Sequence, residues 1–257
     1  KRVEGDVELV PDLDSSLGLM NRSKTSQGER GLLLSTLSDS ARKEALDNTF
    51  KTSENIEKLL SVPAIGVTPL VNKHGIAPEK KYLEDSLSPF AESINTIRTG
   101  LLFSNIDTPP KTMLITSAGS NEGKSTLAIN LAAAFSSIGK TLLLEVDLRK
   151  PFFAECFEMK SNRGLTDLVT GSDLSEDNGL HHLNDGKLSV ISGGTMIRNP
   201  IELLSSNKFD KVLDTLKQHY EYIILDGPPT LPVSDSCILA NKVDTVIFTV
   251  RAQKTKV

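Results

Sequence analysis

Residues 118–125 combine glycine, lysine and serine at a spacing suited to binding phosphate groups. The segment Ala-Gly-Ser-Asn-Glu-Gly-Lys-Ser lies between an apolar run at 113–116 and an Ala/Leu-rich run at 124–138. A polyphosphate needs several converging N–H donors, which a glycine-rich turn ahead of a helix supplies. Lys124 would add a point charge for the outer phosphates, and Ser125 a hydroxyl ligand for Mg²⁺. The pattern predicts a P-loop that binds Mg-ATP through Gly119, Ser120, Asn121, Glu122, Gly123, Lys124, Ser125 and Thr126.

Two further acidic segments follow apolar runs. Asp226 ends the run at 222–225, and Asp147 and Arg149 follow the run at 141–146. P-loop proteins hold the Mg²⁺ ion with a carboxylate at such a strand end. Asp147 could reach the metal or accept a proton, and Arg149 could neutralise phosphoryl charge. The alternatives are a turn-capping role for Asp226 and a solvated polar turn at 147–150.

These residues need a sheet to bring them together. Apolar strands at 113–116, 141–146, 188–191, 222–225 and 245–250 alternate with helices at 124–138 and 201–219. Strands that are apolar on both faces are typical of parallel sheets covered by helices. The sequence therefore predicts an α/β fold, a three-layer parallel sheet of the P-loop NTPase type with helices on both faces.

The region before the phosphate loop has less regular signals. Thr52 is a candidate N-cap for a short helix, and Ser88 caps a second helix whose apolar residues recur on one face from Phe90 to Leu101. Residues 62–67 have the pattern of a short strand. Residues 1–43 are rich in Ser, Asp and Gly, so we expect either weak order there or a segment tied to another part of the parent protein. A domain spanning 44–257 follows.

Composition excludes several classes of function. The net charge of −4 gives no basic field for nucleic acid. Cys156 and Cys237 are far apart and have no neighbouring His pair, and the four histidines show no metal-ligand spacing, so a zinc site is not expected. No apolar run reaches the roughly 18 residues that a membrane-spanning helix needs. The chain starts with Lys1, which suggests a fragment whose parent could carry membrane helices.

The three motifs, in this order, resemble those of the bacterial tyrosine kinases of capsule and exopolysaccharide export. Asp-Leu-Arg-Lys-Pro follows the second strand and Asp-Gly-Pro-Pro the later one. Stretches at 164–168, 199–206 and 232–235 also resemble that family. Residues 46–66 resemble the segment that follows the second membrane helix in members fused to a polysaccharide co-polymerase. The resemblance covers about 44–254.

The resemblance implies an ATP-dependent tyrosine autokinase at the cytoplasmic face of the bacterial inner membrane. Its partners would be other subunits in a homo-oligomeric ring, a neighbour's C-terminal tyrosine tail, and a fused or separate membrane co-polymerase. Lys124, Asp147 and Arg149 would be catalytic. Ser125, Asp147 and Asp226 would hold Mg²⁺. The ring-building helix motif would fall at Glu92, Asn95 and Arg98.

Three features depart from the family pattern. Asn95 stands where the helix motif has Arg, and Glu145 stands where the second motif begins with Asp. The family would continue past Val257 with a helix, a strand and the tyrosine cluster. Two alternatives remain open: a partition- or septum-type ATPase, which would place Lys where Gly119 stands, and a non-catalytic ATP-binding scaffold of the co-polymerase.

Overall fold

A six-stranded sheet forms the centre of the molecule. The computed structural model describes residues 49–71, 76–104, 108–172 and 179–255, so the predicted weakly ordered segment 1–43 lies outside the described residues. The strands are β1 (Thr112–Ser117), β2 (Thr141–Glu145), β3 (Leu180–Leu183), β4 (Leu188–Ile191), β5 (Tyr222–Asp226) and β6 (Thr245–Thr249), in the spatial order β3-β4-β2-β5-β1-β6. All neighbouring pairs are parallel except β3 with β4.

The five predicted strands are parallel, and the antiparallel β3 is a sixth strand that the sequence analysis did not predict. Asn184, Asp185 and Gly186 all adopt positive φ between β3 and β4. Asn, Asp and Gly tolerate this conformation best, and it makes the tight turn that joins antiparallel strands. The Asn-Asp-Gly sequence was therefore an available hairpin signal. β3 is a short edge strand, and its residues are half-buried.

Helices cover both faces of the sheet, as predicted. Alternate residues of the central strands point to opposite sides: Met113 and Ile115 enter one apolar cluster, whereas Leu114 enters the other. The first cluster contains α3 (Pro89–Phe103), α4 (Lys124–Ser136) and α5 (Phe153–Cys156). The second contains α6 (Leu165–Thr170), α7 (Pro200–Leu204), α8 (Asn207–His219) and α9 (Asp235–Ala240). The three-layer α/β class is thus confirmed.

The helix predicted over 201–219 is two helices. Ser205 ends α7, and Ser206 caps α8 by accepting a hydrogen bond from the Phe209 N–H. Serine side chains compete for backbone hydrogen bonds, which favours caps over helix interiors. The break lets Leu204 and Phe209 both enter the second apolar cluster.

Upstream of the sheet, the chain forms α1 (Ser53–Leu60), a 3₁₀ turn (Pro78–Lys80), α2 (Lys81–Glu84) and then α3. The caps at Thr52 and Ser88 are as predicted. The strand predicted at 62–67 was wrong, because this segment forms neither strand nor helix. It instead packs side chains on α3, where Gly66 and Gly100 allow close approach to Ile97 and Ile65. No helix within the described ranges is long and apolar enough to cross a membrane.

Candidate nucleotide site

The phosphate loop connects the end of β1 to the start of α4. Asn121 has φ 61° and Gly123 has φ 90°, both in the left-handed region. The Gly123 conformation is one that glycine adopts without the strain of a side chain, which explains glycine directly before Lys124. The Ser117 hydroxyl donates to the Gly119 carbonyl at 2.7 Å and tightens the entry to the loop. Strand, loop and helix thus have the order that a P-loop requires.

Lys124 brings the three predicted motifs together. Its Nζ lies 3.1 Å from Asp147 Oδ2 and 3.6 Å from Asp226 Oδ1, and it donates to the Ser125 hydroxyl at 3.2 Å. The carboxylates come from the carboxyl ends of β2 and β5, which are neighbours in the sheet. Carboxyl ends of parallel strands form the ligand crevice of open α/β sheets. Lys124, Ser125, Asp147 and Asp226 therefore form one cluster, as the sequence predicted.

Asp226 is held in an environment that disfavours its charge. Its side chain is buried, and burial raises its pKa to about 6 even though Lys124 and Ser125 act to lower it. Its Oδ1 is buried and accepts no hydrogen bond from the described residues. The Lys124 ammonium, at 3.6 Å, lies just beyond hydrogen-bond distance. A buried carboxylate oxygen without a donor needs a compensating charge.

The oxygen donors at this cluster fit Mg²⁺. This ion prefers hard oxygen ligands, and usually takes one or two carboxylates together with substrate phosphates. Ser125, Asp147 and Asp226 supply that type of ligand. Within the described parts of the chain no group of three His, Cys, Asp or Glu side chains forms a complete metal cage. The donor set therefore fits a metal shared with a nucleotide better than an all-protein site.

The remaining loop residues have distinct environments. Ser120 and Asn121 are exposed, and the Thr126 hydroxyl donates to Glu79 Oε1 at 3.4 Å. The Glu122 carboxylate turns back on the loop and accepts from the Gly119 N–H at 2.9 Å and from the Thr255 hydroxyl at 2.6 Å. The sequence motif alone gave no partner for Glu122, since Thr255 is far away in the chain.

Arg149 lies in a different arrangement from the one predicted for it. Its guanidinium makes a bidentate pair with Asp235, with Nε and Nη2 at 2.9 and 3.0 Å from the carboxylate oxygens. Asp235 is fully buried at the start of α9. Arg149 therefore fastens the segment after β2 to α9. Asp235 was missed as a site residue, although it lies in the Pro-Val-Ser-Asp stretch that resembles the kinase family.

Glu145 is buried beside the site but turned away from Lys124. Its Oε1 accepts from the N–H groups of Phe152 and Phe153, and its Oε2 accepts from the Gly193 N–H at 2.7 Å. Burial raises its pKa to about 7, although these three hydrogen bonds act to lower it. The carboxylate thus joins the second motif to the loop after β4.

The predicted ring residues lie on α3. Glu92 is exposed, whereas Arg98 donates to the Ala134 carbonyl and the Ser137 hydroxyl, each at 2.7 Å, at the end of α4. Asn95 accepts from the Tyr82 hydroxyl at 2.8 Å. A groove of about 390 Å³ runs beside Glu92 and Asn95. Glu92 is therefore available to another molecule, whereas Arg98 is engaged within its own chain.

Among the described residues, two histidines lie on the edge strand β3, and Cys156 ends α5. His181 and His182 are half-buried in this strand. Burial and the neighbouring histidine lower the pKa of His181, and His182 hydrogen-bonds with Ser189. Burial raises the pKa of the Cys156 thiol to about 11, so this thiol is protonated at neutral pH.

Comparison with known proteins agrees with this geometry. Residues 111–256 match a family model described as an AAA domain. The chain is 34% identical over 168 residues to a putative tyrosine-protein kinase CapB of Staphylococcus aureus, covering 65% of this chain and 73% of that protein. It is 36% identical over 167 residues to the tyrosine-protein kinase YwqD of Bacillus subtilis, covering 65% and 70%. A crystal structure of the chimerical protein CapA2B2 superimposes with a TM-score of 0.69 at 30% identity, covering 77% of this chain and 84% of that one.

Proposed function

This chain belongs to the AAA domain family and, within it, to the bacterial tyrosine-protein kinases, and we propose that it uses Mg-ATP to phosphorylate tyrosines during capsule or exopolysaccharide export. The observation that carries this proposal is the cluster of Lys124, Asp147 and Asp226 at the phosphate loop. The lysine can bind a polyphosphate, the carboxylates can bind a metal ion, and Asp147 can accept the proton of a tyrosine hydroxyl.

The residues divide the work of phosphoryl transfer. Backbone N–H groups of 120–126 bind the phosphates, whereas the Gly119 N–H, which the sequence also predicted as a phosphate donor, is taken by the Glu122 carboxylate. Lys124 directs its charge to the outer phosphates. Asp147 accepts the proton that leaves the tyrosine hydroxyl. Ser125, Asp147 and Asp226 would hold Mg²⁺, which when bound neutralises phosphate charge. Because Lys124 pairs with both carboxylates, bound phosphates would compete with them for its ammonium.

Arg149 has an indirect part in this proposal. Its guanidinium is fixed by Asp235, so it orients the segment that carries Asp147 rather than standing free for a phosphoryl group. Glu122 contributes through its backbone, because its carboxylate is turned to Gly119 and Thr255.

We further propose the setting that the family implies. The kinase domain spans 44–257 and acts at the cytoplasmic face of the inner membrane, next to a fused or separate co-polymerase. Subunits associate in a ring, and a neighbour's C-terminal tyrosines enter the site. Glu92 supports this assembly, since it is exposed on α3 beside a groove. Arg98 would contribute by fixing α3 to α4.

The direct test is phosphotyrosine formation with Mg-ATP on a supplied tyrosine-rich peptide. The Lys124→Met variant should lose at least about a hundredfold in rate, because the phosphoryl charge loses its principal cation. Lys211→Met is the matched control, since this lysine is exposed on α8. ATP binding without any label in the unaltered chain would favour the non-catalytic scaffold, and rapid hydrolysis without label would favour a partition-type ATPase.

A further inference from the structure

A short turn at the end of the described chain lies against the phosphate loop. In residues 251–255 the Thr255 N–H and the Lys254 N–H both donate to the Arg251 carbonyl, at 2.9 and 3.1 Å. The Arg251 N–H donates to the Thr255 hydroxyl at 2.9 Å, which closes the turn from the other side. Thr255 is buried with 3% of its surface exposed. The turn is therefore internally fixed before it contacts the loop.

The Thr255 hydroxyl continues into the loop through Glu122. It donates to Glu122 Oε1 at 2.6 Å, and Glu122 Oε2 accepts from the Gly119 N–H at 2.9 Å. A carboxylate within a phosphate-binding loop would repel phosphate if its oxygens were free to face the ligand. These two hydrogen bonds commit both oxygens to protein donors, and charge-assisted bonds of this kind are the stronger ones.

Two cations hold the same loop by its carbonyl groups. Lys254 Nζ donates to the carbonyls of Ser120 and Asn121 at 3.3 and 3.1 Å, and Arg251 Nη1 donates to the Asn121 carbonyl at 3.2 Å. Asn121 is the non-glycine residue of the loop that has a left-handed backbone. Fixing these carbonyls also fixes the planes of the peptide groups that carry the loop N–H donors, because each peptide unit is rigid.

The turn is anchored in its own right by Phe50. The Phe50 N–H donates to the Thr255 carbonyl at 3.1 Å, and its carbonyl accepts from the Gln253 N–H at 2.9 Å. Phe50 is buried, with 5% of its surface exposed. This pairing joins the start of the described chain to the turn, and through Thr255 and Glu122 to the phosphate loop.

We infer that residues 251–255 form a phosphate-loop strap, in which Thr255 acts through Glu122, and Lys254 and Arg251 through the loop carbonyls, to position the loop for nucleotide. These are positioning residues, since each acts on the loop and none is argued to touch the ligand. The inference rests on the nucleotide binding proposed above.

The test measures MgATP binding to the full 257-residue chain by calorimetry at physiological ionic strength. Thr255→Val removes the hydroxyl at nearly constant volume and should weaken binding about tenfold, whereas Thr255→Ser keeps the hydroxyl and should stay within about twofold. Lys254→Met alters an exposed side chain, so folding is not at risk, and should weaken binding about threefold. Lys211→Met, an exposed lysine on α8, is the charge-matched control and should bind normally.

The outcomes separate the strap from the function it serves. Failure of the unaltered chain to bind MgATP would remove both. Normal binding by the unaltered chain, together with unchanged binding by both Thr255→Val and Lys254→Met, would overturn the strap alone. Equal losses in Thr255→Ser and Thr255→Val would also overturn it, because the hydroxyl would then not be the cause.

A second measurement uses the reciprocity of linked equilibria. If the strap positions the loop for nucleotide, then nucleotide must stabilise the strap by the same free energy. Hydrogen exchange at the amides of Phe50, Gln253 and Thr255 should therefore slow when MgATP is added. Unchanged exchange at these amides, with slower exchange at the loop, would contradict the coupling.

Discussion

At the scale of single residues, Glu145 defines how the second motif is held. Its carboxylate accepts three backbone hydrogen bonds, from Phe152, Phe153 and Gly193, and none of its contacts is to Lys124 or Ser125. The longer side chain reaches across to these donors from the end of β2. Glu145 therefore fixes the second motif to the loop after β4, and the carboxylate next to Lys124 is that of Asp147.

This reading predicts the effect of shortening Glu145. Glu145→Asp withdraws the carboxylate by ~1.5 Å and leaves buried N–H groups without an acceptor. We expect a loss of about 2–4 kcal/mol in the free energy of unfolding and no gain in kinase rate. Glu155→Asp, an exposed change in α5, should cost less than about 0.5 kcal/mol in the same urea titrations. A faster Glu145→Asp kinase would mean that glutamate had been displacing a metal ligand.

The sequence predicted the residues at the phosphate loop better than the residues that hold them in place. Lys124, Ser125, Asp147 and Asp226 could be grouped because each follows or precedes an apolar strand, and the sheet brings such positions together. The partners Asp235, Gly193 and Thr255 could not be deduced. Each bonds to a site residue from a segment distant in sequence, and no short-range pattern specifies which segments meet.

At the scale of elements, the Arg149–Asp235 pair joins the segment after β2 to the start of α9. Asp235 is fully buried, whereas the arginine side chain is 37% exposed. The pair is therefore a half-buried salt bridge. The buried carboxylate needs the two N–H donors of the guanidinium more than the partly exposed guanidinium needs the carboxylate. Its function in the fold is to fix the distance between these two segments.

A double-mutant cycle tests whether Arg149 acts by position. Arg149→Lys and Asp235→Asn should each cost about 1–2 kcal/mol in stability, with a coupling energy of about 1 kcal/mol, because each variant removes the same fork. Kinase rate should fall in parallel in both variants, and the double variant should be little worse than either. A normal rate in Asp235→Asn with a large loss in Arg149→Lys would instead assign Arg149 to the phosphoryl group.

Elements with strong periodicity were predicted within a few residues, and those decided by tertiary contacts were not. The apolar face of α3 and the strands around the phosphate loop are visible in sequence, because burial imposes their pattern. The segment 62–67 has a strand-like composition but forms no strand, and its side chains pack on α3 instead. The break at Ser205–Ser206 depends on a cap that competes with helix continuation, which periodicity alone does not reveal.

At the scale of the whole molecule, the strand order brings acidic groups together at the carboxyl ends of the central parallel strands. β5 lies between β1 and β2, so Asp226 is central to the crevice, with Lys124 on one side and the β2 carboxylates on the other. Both Asp226 and Glu145 have a raised pKa, mainly because they are buried. Burying these carboxylates therefore costs stability, and the nucleotide and cation proposed above would offset that cost.

The cost of burying Asp226 predicts that Asp226→Asn is more stable than the unaltered chain without MgATP, and that MgATP stabilises the unaltered chain more than the variant. An aspartate whose pKa rises from 3.8 to about 6 on folding binds more protons when folded, so its stability contribution is lost as pH rises through this interval. In EDTA, the free energy of unfolding of Asp226→Asn should match that of the unaltered chain near pH 4 and exceed it by about 2 kcal/mol at pH 7.5. With MgATP at ~100 times its dissociation constant, the unaltered chain should gain about 2.7 kcal/mol and the variant much less. Urea titrations at both pH values check this, with the exposed Asp214→Asn as control. Lower stability of ligand-free Asp226→Asn at pH 7.5 would show that Lys124 already compensates the carboxylate, and that the site needs no second cation.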